Sequence, residues 1–269
     1  MKQLAYNQDL RSLDLYNKRL GRVPKSIWQL SSLEKLNLAD NSLVSLSEEI
    51  GNLVNLTMLD LGHNKLSSLP VSIGKLIKLR FLYLSNNKLK ALPGSLWELK
   101  TLIYLNITDN GLSSLPDKVG QLSNLIELRL YNNQLASLPE SIAALKNLRE
   151  LHVMNNRLTA LPKTMGNLKN LKKLILEGNR IESLPQSLGD LKNLTDLDLR
   201  SNRVKNIPGS LGSLKQLRFL DLRANQLTAL PASIAKLQNL EKLDLRWNKS
   251  LSIPQWIAKL EERGCIVYQ

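Results

Sequence analysis

Apolar positions recur along this chain at intervals that never drift. With position 1 set at Leu10, the same position falls at Leu33, Leu56, Leu79, Leu102, Leu125, Leu148, Leu171, Leu194, Leu217 and Leu240, so eleven units of 23 residues run from Leu10 to Glu262 without an insertion or deletion. The shared pattern reads L-x-x-L-x-L-x-x-N-x-L-x-x-L-P-x-x-I-G-x-L-x-N. Position 4 is always leucine and position 6 always Leu, Ile or Val. This alternation predicts a short strand, with positions 4 and 6 on one face and positions 3, 5 and 7 on the other. One unit cannot bury its leucines alone. Stacked in register, neighbouring strands form a parallel sheet whose inner face meets the apolar residues of positions 11, 14, 18 and 21, and stability becomes a sum of nearest-neighbour interfaces. All ten prolines stand at position 15, where they pre-set a short helical or 3-10 turn, and six glycines at position 19 argue against long regular helices there.

Position 9 is asparagine in ten units: Asn41, Asn64, Asn87, Asn110, Asn133, Asn156, Asn179, Asn202, Asn225 and Asn248, with Lys18 the exception in the first. An unpaired amide in such an interior costs about 1–3 kcal/mol. The column is therefore expected to form a structural ladder, each amide bonding turn backbone in its own unit and in the next.

These residues resemble the leucine-rich repeat family, in its 23-residue type common in bacterial and Ras-group intracellular proteins, over essentially the entire chain. The resemblance implies an α/β solenoid in the form of a curved horseshoe, with a parallel β-sheet on the concave face and short helical or 3-10 turns on the convex face. A single domain over 1–269 is expected: an N-terminal cap over 1–9, eleven repeats over 10–262 and a closing strand over 263–269. In that last stretch, "RGCIVYQ" is expected to place Ile266 and Tyr268 inward. The family also carries many different partners, so the fold by itself says little about function.

Function is expected where packing leaves the residues free, at positions 3, 5, 7 and 8. These columns hold seven of the twelve aromatic residues, both phenylalanines among them, which the reading takes as exposed. Aromatic residues and arginine dominate binding hot spots. The concentrated group Met58, Phe81, Tyr83, Tyr104, Arg129, Tyr131, His152 and Met154 lies in repeats 3 to 7 and is the expected partner-binding surface. Phe219 and Trp247 form a secondary candidate. In repeats 9 to 11, Asp198, Asp221 and Asp244 stand beside Arg200, Arg223 and Arg246, a pattern expected to pair with itself on the surface.

The net charge of +14 changes the picture only after it is placed. Acidic residues outnumber basic ones on the four open columns, whereas position 10 carries cations without acids, including Lys65, Lys88, Arg157, Arg180 and Arg203. Nucleic-acid binding wants cations and stacking rings in one groove, and here they are segregated, which counts against it. The leading expectation is a non-enzymatic module that binds a protein or peptide; the alternative is a polyanion (lipid headgroup, glycan or nucleic acid) held by the basic rim. Glu127, Arg129, Tyr131, Glu150 and His152 could combine acid, base and cation, but an open sheet does not exclude water, and recognition is the better use of them. His63 has no partner at ligand spacing, and one cysteine, Cys265, rules out an internal disulfide or a cysteine metal cage. No cofactor, metal or transmembrane segment is expected. A cytoplasmic monomer is, or a secreted one if a leader has been removed.

Overall fold

The computed structural model describes residues 9–269, so the cap expected over 1–9 lies outside the described residues except for Asp9. The chain divides into two compact units, one of residues up to 113 with 121–133, the other of 114–120 with 134–269. The first contains strands β1 (Ser12–Asp14), β2 (Lys35–Asn37), β3 (Met58–Asp60), β4 (Phe81–Tyr83), β5 (Tyr104–Asn106) and β6 (Glu127–Arg129). They are parallel, in chain order, and each residue pairs with the residue 23 further on. The second unit repeats this arrangement with β7 (Glu150–His152), β8 (Lys173–Ile175), β9 (Asp196–Asp198), β10 (Phe219–Asp221) and β11 (Lys242–Asp244), and β12 (Ile266–Tyr268) joins β11 in parallel with each residue pairing 24 further on.

Alternation explains each strand. In β1 to β11 the central residue, always at position 4, is buried, and its two neighbours stand on the open face, half-buried or exposed in all but one case. Behind the sheet the apolar residues of positions 6, 11, 18 and 21, mostly leucine and isoleucine, close the core. The backs of the repeats are 3-10 turns, and the only α-helix among the described residues is α1 (Ile257–Glu261). The prolines do not open these turns from inside. Pro70, Pro93 and Pro185 precede them in extended conformation, with ψ of 151°, 147° and 146°, and the proline carbonyl accepts the first bond of the turn. Where Ser47 interrupts the proline column, its hydroxyl accepts from the Glu49 N–H at 3.2 Å, replacing a fixed φ with a side-chain cap.

The glycines at position 19 have a different cause from the one the sequence suggests. A Cβ on Gly166 would stand 2.1 Å from the Ser187 carbonyl oxygen, and one on Gly189 2.3 Å from that of Ser210. They mark close approach of successive turns. Ala143 occupies the same column, and the turn it faces is shortened to Met165–Asn167, whereas turns facing the glycines keep five residues.

The position-9 asparagines face the preceding repeat rather than the next. Asn64 illustrates the scheme: Nδ2 donates to Leu61 O at 3.1 Å, Gly62 O at 3.0 Å and, one repeat back, Leu38 O at 3.0 Å, while Oδ1 accepts from the Leu43 N–H at 3.0 Å. Position 23 supplies a second set on the exposed side, in which Asn55, Asn124, Asn170, Asn193 and Asn239 each donate to a carbonyl of the preceding repeat at 2.8–2.9 Å.

The expected inward pair of the last strand is inverted. Ile266 and Tyr268 align with Lys242 and Asp244 and are 57% and 39% exposed, and Val267 pairs with the buried Leu243. The reason is register. The turn before β12 carries Gly264 at φ 87°, and the strand enters one residue out of step with the leucine alternation assumed from sequence.

Candidate binding face

One of the four open columns is not free. The position-8 residues Asn17, Asp40, His63, Asn86, Asp109, Asn132 and Asn155 all have φ of 51–55°, and Gly178, Ser201, Ala224 and Trp247 continue the column at 50–68°. This left-handed turn favours Asn, Asp and Gly, which explains that composition without any ligand. Trp247 is the exception in kind, a bulky residue held at φ 63° and 67% exposed.

In the first unit the register places Met58, Phe81, Tyr104 and Glu127 in one row of the open face and Asp60, Tyr83, Asn106 and Arg129 in the other. Tyr83 and Tyr104 lie 5.0 Å apart at an interplanar angle of 38°, and the Arg129 guanidinium sits 5.8 Å from the Tyr104 ring centre. Arg129 Nε also donates to Glu127 at 2.5 Å. The rings are half-buried. Phe81, expected to be exposed, is covered in part because its neighbours in the row are large, and because the Arg80 guanidinium stands 5.8 Å from its ring centre. Burial first, and then the charges of Asp60 and Glu127, push the Tyr83 phenol up; burial does the same to Tyr104 against the pull of Arg129. Both rings therefore present neutral hydroxyl donors at physiological pH. Tyr131, at position 7 of the sixth repeat, is half-buried as well.

Beside these rings lies a hollow of about 460 Å³ lined by Tyr16, Asn37, Asp40, Asp60, His63 and Tyr83. Sequence reasoning missed it as a unit, having read His63 as an isolated surface residue. His63 Nε2 is 3.3 Å from the Asn86 amide. Burial raises the Asp60 carboxyl pKa, although the Gly62 N–H and the His63 ring pull against it. A carboxyl raised in the fold contributes stability below its unfolded pKa, near 3.9, that is lost as pH rises through the folded value. Asp60→Asn keeps the acceptor for the Gly62 N–H, bonded at 2.9 Å. It is expected to melt at a higher temperature than wild type at pH 7 and at the same temperature at pH 3, which thermal melts at the two pH values check.

The second unit holds His152 and Met154, both half-buried. His152 Nε2 is 3.0 Å from Glu150, which also meets Lys173 at 3.1 Å. Burial alone would raise the Glu150 pKa, but these two partners hold it below the usual value. Further on, Arg200 bonds Glu177 and, at 3.4 Å, Asp198; Arg223 meets Asp221 at 2.5 Å and Asp244 at 3.3 Å; Arg246 meets Asp244 at 2.7 Å. The expected surface network is thus partly interior, because β12 covers Asp244, whose side chain is 0% exposed. Burial raises the Asp198 pKa, whereas at Asp244 the bond from Arg246 and the charge of Arg223 overcome burial and lower it. Arg246 also lies 4.7 Å from the Tyr268 ring centre and 5.7 Å from that of Trp247. Phe219 is 37% exposed, under Arg218 at 5.2 Å.

Lys65, Lys88, Arg157, Arg180 and Arg203 of the basic rim are exposed. Cys265 is buried, and burial raises its thiol pKa. No helix among the described residues is long and apolar enough to cross a membrane.

A family model for the leucine-rich repeat region matches residues 1–102 and 86–178, and two further leucine-rich repeat models match 169–227 with 192–249, and 239–260. The chain belongs to the leucine-rich repeat family. No curated protein matches it. Among solved structures, this leucine-rich repeat chain is similar to the plant peptide hormone receptor RGFR1 in complex with RGF2, at 32% identity over 98% of this chain and 48% of that one, with a TM-score of 0.84. It is also similar to the functional domain of InlJ from Listeria monocytogenes, at 29% identity over 90% of this chain and 52% of that one, TM-score 0.76. The Drosophila Toll–Spatzle complex matches at 25% identity over 94% of this chain and 37% of that one, TM-score 0.85. The chain spans about half the length of these structures or less.

Proposed function

We propose that this leucine-rich repeat chain is a non-catalytic recognition module that holds a protein or peptide on the open face of its sheet, with Met58, Phe81, Tyr83, Tyr104, Arg129 and Tyr131 as the main contacts in the first unit. His152 and Met154, and separately Phe219 and Trp247, serve as further contacts in the second. One observation carries the reading: the paired Tyr83 and Tyr104 rings stand on the face opposite a complete leucine core that has no need of them. Half-buried aromatic groups give contact area at low entropy cost, which is what binding hot spots require. Two of the similar structures are of complexes, RGFR1 with RGF2 and Toll with Spatzle, which supports the same use of the fold.

The charge of this face narrows the partner. Arg129 is neutralised by Glu127, which leaves Asp14, Asp40, Asp60 and Asp109 against Lys35 on the open columns of the first unit. A partner presenting a basic side chain to the hollow beside Tyr83 satisfies that imbalance. The polyanion alternative is weaker, because the position-10 cations come singly, one per repeat, and Ser42, Gly111, Gln134 and Gln226 interrupt the column.

The test is a peptide selected from a random library on the wild-type protein. Replacing Phe81, Tyr83, Tyr104 and Tyr131 together by serine is expected to weaken that peptide at least about 100-fold, since each hot-spot ring is worth about 2 kcal/mol, while the melting temperature moves by only a few degrees. Unchanged affinity in the quadruple variant overturns the reading.

A further inference from the structure

A basic groove lies among the turns at the backs of the repeats, away from the open sheet face. In the second unit, the ends of the turns in repeats 8 to 10 and Arg263, two residues after α1, border a groove of about 1000 Å³ lined by Lys192, Lys215, Lys236, Arg263, Gln216 and Gln238, among others. No acidic side chain lines it. Nor does any of its four cations form an ion pair among the described residues. The contrast within the same unit is sharp, because Arg200, Arg223 and Arg246 are each matched to carboxylates.

Two of the groove cations are held in place without being neutralised. Lys192 Nζ donates to the Gly189 carbonyl at 2.6 Å. Arg263 donates through Nε to Lys259 O at 3.1 Å and through Nη2 to Ala235 O at 2.8 Å. Carbonyls orient a guanidinium but leave its full charge, and three of its five N–H donors stay available. Lys215 and Lys236 bring two more ammonium groups to the same concavity, and the two glutamines add neutral donors. Like charges converging in one hollow repel each other and focus a positive potential, which a multiply charged anion relieves. Phosphate suits this donor set, since it carries more charge per group than a carboxylate and accepts both from the planar fork of arginine and from point-like ammonium groups.

We propose that this groove binds a ligand carrying clustered phosphate groups. The site is independent of the sheet face and would stand if the peptide reading failed. Calorimetry with inositol hexakisphosphate is the first arm. Wild type is expected to bind one equivalent, and the Lys215→Gln/Lys236→Gln/Arg263→Gln variant at least about 30-fold more weakly, as the loss of several charge-assisted contacts implies. Arg263 also tethers α1 to the preceding turn, so a Lys215→Gln/Lys236→Gln variant, which touches no backbone contact, is measured beside it and is expected to lose about 10-fold. A charge-matched variant outside the groove, Lys65→Gln/Lys88→Gln/Arg157→Gln, is expected to stay within about two-fold of wild type.

The second arm, flotation with phosphatidylcholine vesicles containing phosphatidylinositol bisphosphate, distinguishes the source. Co-flotation of wild type but not of the groove variants assigns a membrane headgroup, and binding in calorimetry alone assigns a soluble phosphate compound. Absence of one-to-one binding in both arms, or an equal loss in the rim variant, overturns the proposal.

Discussion

Asn202→Leu is expected to destabilise the protein by about 3–5 kcal/mol, because the substitution keeps the volume and removes every bond the amide makes. Asn202 is 8% exposed and donates to Leu176 O, Leu199 O and Arg200 O at 3.0–3.2 Å, while its Oδ1 accepts from the Ile181 N–H at 3.0 Å. Leucine leaves that N–H and the carbonyl groups in an interior that water does not reach, and each unsatisfied group costs about 1–3 kcal/mol. The amide bridges two successive repeats, so its loss weakens one interface of a stack held together by nearest neighbours. Asn193→Leu is the matched control. Its amide makes a single exposed bond to Lys169 O at 2.8 Å, and its loss is expected to cost under about 1 kcal/mol. Urea denaturation of both variants checks the difference, and similar midpoints would show that the ladder does not contribute as described.

Gly166→Ala is expected to cost about 2–3 kcal/mol, a large effect for one methyl group. Its Cβ would meet the Ser187 backbone oxygen at 2.1 Å and Asp190 Cβ at 3.0 Å, so relief requires the two turns to move apart. Gly21→Ala has nothing within 4 Å of its Cβ, and its expected effect is neutral to stabilising by up to about 1 kcal/mol, through loss of freedom in the unfolded chain. Denaturant titration of the pair separates close approach from the general effect of removing a glycine. Equal midpoints would refute the packing explanation for the position-19 column.

Much of the candidate face is legible in the sequence. Alternation around position 4 places Phe81, Tyr83 and Tyr104 on the open side of β4 and β5, and the structure has them there. Their half-burial was not legible, because it depends on Tyr83 and Tyr104 leaning together and on arginines folding over the rings. The hollow around His63 and Asp60 escaped for a similar reason. Its lining comes from the first four repeats, and only their register shows that the residues converge.

The sequence by itself determined the repeat length, the strand at positions 3 to 5, the leucine core and the presence of a polar ladder, since each follows from how apolar and amide positions recur along one dimension. Tertiary structure alone decided which neighbour each asparagine bonds, why position 8 collects Asn, Asp and Gly, why position 19 is glycine, that Ile266 and Tyr268 face outward, and that four cations share a groove without an acid. Those outcomes depend on backbone φ and on distances between residues in successive repeats, and hydropathy along the chain records neither.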